Sequence, residues 1–147
     1  MSEQKYLSGP HMQVAVLCEK ILMEGDGALS IIRIIDRLTI TGPTPEMPAF
    51  PYSVFLFISF KSGFYRGKAQ IKVIPISPSG KELTTIGFPL LFEGDDERGS
   101  YAKGEMRILL QEEGLYWFDI QLEETNVTRI PLRVVYQQVG SIPRSEG

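Results

Sequence analysis

The chain has 147 residues, 43% hydrophobic and 22% charged, with a formal net charge of -3 at pH 7. That length suits one domain burying roughly 70% of its unfolded surface, and the mildly acidic balance gives no electrostatic ground for nucleic acid or an anionic membrane as partner. No apolar run approaches the roughly 20 residues of a membrane span, the opening MSEQKYLSGPHM lacks a signal-peptide layout, and the single cysteine, Cys18, has no internal disulfide partner. A cytoplasmic location is expected.

Residues 1–12 are polar, contain Gly9-Pro10 and read as a flexible arm, ahead of one domain over 13–136 and a polar tail over 137–147. The runs QVAVLCEKILM (13–23) and LSIIRIIDRLTI (29–40) alternate with period two around Gly25-Asp26-Gly27, a strong hairpin signal. A three-residue turn with Gly27 in the left-handed region sets Glu19 opposite Arg33. It also puts Val16, Cys18 and Leu22 on one face with Ile32, Ile34 and Leu38, which is expected to be the core face.

Four prolines in TGPTPEMPAFP (41–51) then favour extended geometry, block both helix and central strand, and suit a crossing between sheets. Residues 52–61 are apolar on both faces, the pattern of a central strand. Residues 68–75 and 82–92 flank the turn Pro78-Ser79-Gly80, with Pro75 and Pro89 demoting parts of them to edges or bulges. The charged, glycine-rich stretch 93–104 is expected to be a loop. Residues 105–111, 115–123 and 128–136 read as the last strands, the final two joined by a turn at Asn126.

No segment holds a helical period. About eight strands with turn signals between them predict an all-β fold, a two-sheet antiparallel β-sandwich with immunoglobulin-like or jelly-roll connections.

Chemistry-bearing residues are sparse. His11 is the only histidine and falls in the arm, so histidine-based catalysis and His-Cys zinc sites have little to build on. Cys18 reads as a small buried hydrophobe rather than a reactive thiol. Glu93, Asp95, Asp96 and Glu97 share one loop, and Asp26 sits at a hairpin tip, but their spacing is not that of a calcium loop and a solvated surface is expected. Asn126-Val127-Thr128 matches a glycosylation sequon and reads as a hairpin turn. Asp36, in register with Ile34 and Leu38, is expected to be a buried carboxylate clamping backbone amides of the proline-rich crossing, with a catalytic carboxylate as the alternative. No cofactor or metal is expected.

In the last hairpin, an odd-length turn around Asn126 pairs Phe118 with Val134, Ile120 with Leu132 and Leu122 with Ile130 on one apolar face. It sets Asp119 opposite Arg133 and Glu123 opposite Arg129 on the other. Leu115, Trp117 and Val135 join that second face. A tryptophan on a salt-bridged face marks a candidate partner-binding patch of Leu115, Trp117 and Val135 flanked by Arg129 and Arg133.

Cys18-Glu19, the turn 24–27, Ser30-Ile31-Ile32 and Asp36-Arg37-Leu38, with EEGLYWFDIQLEETNVTRIPLRVV near the end, together resemble a family of small bacterial proteins known only as a domain of unknown function. The resemblance runs between Val14 and Val135. It implies a β-sandwich and a bacterial source, and it supplies no activity and no catalytic residues. The expected function is a non-catalytic protein-binding or adaptor module, monomeric or weakly homodimeric. The alternatives are a carbohydrate-binding module using Tyr65, Tyr101 and Trp117, and a hydrolase-like enzyme using Asp36 with a loop carboxylate.

Overall fold

The computed structural model describes residues 9–95, 97 and 99–140, and none of these is helical. They form nine strands: β1 (His11–Met23), β2 (Leu29–Ile34), β3 (Arg37–Gly42), β4 (Phe50–Lys61), β5 (Arg66–Ile76), β6 (Ile86–Glu93), β7 (Gly99–Leu110), β8 (Gly114–Leu122) and β9 (Thr125–Gln138). A four-stranded sheet in the order β2-β1-β4-β7 faces a five-stranded sheet in the order β3-β9-β8-β5-β6. Residues of both sheets meet in one core. The fold is therefore a β-sandwich with one strand more than the sequence suggests.

Alternation explains most of the core. In β4, Val54, Leu56, Ile58 and Phe60 are at most 1% exposed, and in β8 and β9 Tyr116, Phe118, Ile120, Leu132 and Val134 are equally buried. Such period-two burial is what a strand packed on one face requires. The proline-rich segment carries the chain from β3 in one sheet to β4 in the other, as its stiffness suggests.

The first hairpin keeps its register. Glu24 donates to the Ala28 carbonyl at 2.7 Å and Gly27 to that of Glu24 at 2.9 Å, closing a three-residue turn with Gly27 at φ 92. Cys18 then pairs with Ile34 and Lys20 with Ile32, and the Arg33 guanidinium meets Glu19 at 2.9 Å.

The faces, however, are inverted. Leu17 (0% exposed) enters the core, while Ile34 is 65% exposed and Ile32 and Leu22 are also exposed. Cys18 is buried outside the core cluster, in a row with Ile34 and Phe55 on the outer face of the four-stranded sheet. Both faces of β1 are apolar, so hydrophobicity alone does not say which one turns inward.

The second run also splits. Arg33 adopts φ 57, in the left-handed region. Ile35 donates to the Leu17 carbonyl at 2.8 Å, and one residue later the Asp36 carbonyl accepts from Arg133 N–H at 3.0 Å. The chain thus changes sheets at Ile35-Asp36, and β3 runs parallel to β9 rather than antiparallel. The Asp36 side chain is exposed, which corrects its reading as a buried clamp: a strand that switches sheets turns its pleat at the switch.

Three further expectations are revised. Residues 99–104 belong to β7, paired to β4 from Gly99 opposite Lys61 onward, and of the expected loop only Gly94, Asp95 and Glu97 are described as lying outside a strand. His11 and Met12, expected in the arm, pair with Lys61 and Phe60, and Gln137 and Gln138, expected in the tail, pair with Thr41 and Gly42. The arm and tail readings for 1–8 and 141–147 lie outside the described residues, as does Asp96.

The last turn falls at Glu123-Glu124, not at Asn126. Both glutamates have positive φ (50 and 70), and the hairpin register is Phe118 with Ile130 and Asp119 with Arg129, with a bulge between Ile120 and Gln121. Two consecutive left-handed non-glycine residues are costly. Here a third strand holds them: Glu123 N–H donates to the Gln70 carbonyl at 2.9 Å, and its carboxylate accepts from Gln70 N–H at 2.5 Å. The displacement on β9 is even, so the inward face is still the one expected.

Candidate functional site

Leu115, Trp117 and Asp119 alternate with the buried Tyr116, Phe118 and Ile120, and so stand on the outer face of the five-stranded sheet. Across β9, Leu115 is opposite Arg133, Trp117 opposite Pro131 and Asp119 opposite Arg129. On the other flank Trp117 is paired with Ile76 and Asp119 with Ile74. The structure therefore brings Leu115, Trp117, Arg129, Arg133 and Val135 onto one surface, although Asp119 meets Arg129 and not Arg133.

Two arrangements define that surface. Asp119 holds Arg129 by two parallel bonds, Nε to Oδ1 at 2.6 Å and Nη2 to Oδ2 at 3.1 Å, and the guanidinium lies 5.0 Å from the Trp117 ring centroid. The Asp119 hydrogen bonds hold Arg129 protonated, its pKa above the usual arginine value. The indole is half-buried beneath this cation. Second, β3 runs beside β9 with Arg37 opposite Arg133. Both are exposed, and among the described residues neither has an ionic partner. Arg37 lay outside the candidate patch read from the sequence, because only the parallel β3–β9 pairing places it there.

The other candidates disperse. Trp117 is on the five-stranded sheet, whereas Tyr101 packs on Phe57 (centroids 5.8 Å apart) on the outer face of the four-stranded sheet. Tyr65 stands edge-on to Phe92 at 5.5 Å, its hydroxyl donating to the Lys68 carbonyl at 3.1 Å. No shared aromatic platform results from these three. Asp36 lies where β2 passes to β3, and the acidic loop joins β6 to β7 at the opposite edge of both sheets; these carboxylates do not converge.

In that loop the Asp95 carboxylate accepts Glu97 N–H at 2.8 Å, and Asp26 likewise accepts Ala28 N–H at 3.0 Å, each closing its own turn. Among the described residues, no three His, Cys, Asp or Glu side chains are grouped to hold a metal ion. Burial pushes the Cys18 thiol above its usual value, which leaves less thiolate for reaction. His11 borders an apolar recess of about 670 Å³ at the β1–β4 end of the sandwich, together with Phe60, Tyr65 and Leu122.

These elements define a two-sheet β-sandwich with a cationic, tryptophan-bearing outer face. The chain belongs to the Family of unknown function (DUF6941), whose profile matches residues 13–135. No curated protein sequence matches it. Among solved structures it is similar to the Pseudomonas fluorescens alkylpurine DNA glycosylase AlkC bound to DNA containing an abasic site analog, at 8% identity and TM-score 0.46. It covers 82% of this chain and spans only 30% of the glycosylase. It is also similar to the CARDB domain of a Pyrococcus furiosus protein in complex with di-metal ions, at 11% identity and TM-score 0.44, covering 88% of this chain and 96% of that one.

Proposed function

We propose that the protein is a non-catalytic binding module that docks an acidic segment of a protein partner on the outer face of the five-stranded sheet. The observation that carries this is the Arg37–Arg133 pair. Like charges directly across two strands repel, and among the described residues no carboxylate forms an ion pair with either, on a chain whose net charge is -3. A carboxylate from outside relieves that repulsion, and arginine binds carboxylates in two-pronged geometry.

Beside the pair, Leu115, Trp117 and Val135 supply the apolar contact that gives an interface most of its free energy. The cation over the Trp117 ring favours this reading over a sugar-binding one, because the ring face that a pyranose stacks on is already occupied.

Trp117 is the only tryptophan, so its emission reports on the site. Titration with oligoglutamate and with an array of acidic, aromatic-containing peptides is expected to shift that emission. The response should weaken with salt and vanish in the Arg37→Glu/Arg133→Glu variant. Acidic peptides that leave Trp117 unperturbed, or that bind the reversed-charge variant equally well, refute the proposal.

A further inference from the structure

A β-sandwich exposes four strand edges, and here three of them are blunted. β2 has six residues and turns left-handed at Arg33, one residue before its end; β3 has six and runs into Gly42-Pro43. In β6, Pro89 sits opposite Gln70, whose N–H and C=O both turn the other way to Glu123, so Pro89 withholds a donor from the outer edge.

β7 has none of these devices. It runs twelve residues without proline, without a left-handed residue and without a register shift against β4. Such an edge is a template for another strand unless something excludes it.

Its outward side chains determine what fits. Tyr101, Lys103, Glu105 and Arg107 are exposed and alternate with the buried Ala102, Met106 and Ile108. None of the three charges has an ionic partner among the described residues. A second β7 laid antiparallel must keep inward residues inward, so only registers that match the pleat are allowed. Centred on Lys103, the pairing sets lysine against lysine. Centred on Glu105, it sets glutamate against glutamate and Lys103 against Arg107. Centred on Gly104, it sets Lys103 against Glu105 twice and Tyr101 against Arg107 twice, with Ala102 facing Met106 on the inner side. The alternation of charges rejects the neighbouring registers and admits this one.

The groove formed by Glu82, Leu83 and Thr84 borders β7 from Arg107 onward, and the Ser100 hydroxyl donates to the Leu91 carbonyl of β6, which leaves residues 101–106 clear of both.

We propose that β7 is a homodimerisation edge: two copies join antiparallel about Gly104, fusing their four-stranded sheets into one of eight strands. This surface is separate from the Trp117 face, and the test does not involve that face. Sedimentation equilibrium across a concentration series is expected to show a reversible dimer of the full chain. Lys103→Glu and Glu105→Lys should each weaken self-association about tenfold or more, because each places like charges opposite one another twice. Mixing the two variants should restore a heterodimer, and the double variant Lys103→Glu/Glu105→Lys should dimerise like the parent. Both positions are exposed, so thermal melts of the variants should overlay the parent's at concentrations where the parent is monomeric. A parent that is monomeric up to about 1 mM overturns the proposal, as does a dimer that both single variants retain or a mixture that fails to associate.

Discussion

Tyr116→Phe isolates one hydroxyl inside the core. The ring is 1% exposed and its packing is unchanged by the substitution. The hydroxyl donates to the Glu112 carbonyl at 2.8 Å and accepts from Glu112 N–H at 3.3 Å, tying the strand start to the turn four residues upstream. This is the arrangement of a tyrosine corner in Greek-key sandwiches. Each bond contributes about 1 kcal/mol net, and Glu112 is half-buried, so water recovers part of the loss; the expected cost is about 1–2 kcal/mol. For a chain of this size that corresponds to a fall in Tm of about 3–6 °C.

The variant also alters alkaline behaviour. Burial is the largest cause holding the Tyr116 phenol above its usual value. The folded state then keeps a proton that the unfolded state releases near pH 10, so stability is fully present below that pH and is lost as pH rises toward the folded value. The limiting slope is about 1.4 kcal/mol per pH unit for each such group. Tyr52, raised by burial and then by Glu19, and Cys18, raised by burial, contribute to the alkaline loss as well, so the variant should lose only the Tyr116 share of the slope. Urea titrations at pH 7 and in steps above pH 10 measure both effects. Equal midpoints at neutral pH, or an unchanged alkaline slope, would show that this hydroxyl does not hold the turn.

Other substitutions test the remaining assignments. Gly114→Ala meets a backbone at φ 131 and places its Cβ 2.8 Å from the Pro78 Cβ, so the unfolding free energy measured in urea should fall by more than about 1 kcal/mol. Leu17→Ala should cost about 2–5 kcal/mol, whereas Ile34→Ser, at a site 65% exposed, should stay within about 0.5 kcal/mol; the reverse order in chemical denaturation would return the inner face to Cys18 and Ile34. Asp36→Ala should leave the melting curve within about 0.5 kcal/mol of the parent, because the residue holds Arg133 through its carbonyl and not through its carboxylate.

The residues themselves determined the strand content, the central place of β4, the three-residue first turn with its Glu19–Arg33 pair, and the inward set of the last hairpin. In each case the information is local: alternation, a glycine tolerant of positive φ, or opposite charges at facing positions. Trp117, Leu115, Arg129, Arg133 and Val135 were legible as one face for the same reason, since parity along two paired strands survives an even slip in register.

Other features depended on partners distant in sequence. Which apolar face of β1 turns inward was settled by the second sheet, because Ala15-Leu17 and Val16-Cys18 are similarly hydrophobic. The run 29–40 keeps its period through Ile35-Asp36, so nothing local marks where β9 takes it from β1, and the burial of Asp36 was misread with it. The turn at Glu123-Glu124 carries no turn-forming residue, and Gln70 on a third strand holds it against the cue of Asn126. Arg37 joins the Trp117 face only through a parallel pairing between strands some ninety residues apart. Hydrophobic periodicity encodes which side of a strand is apolar; which strand lies beside it, and which of two apolar sides is covered, is decided by packing the whole chain.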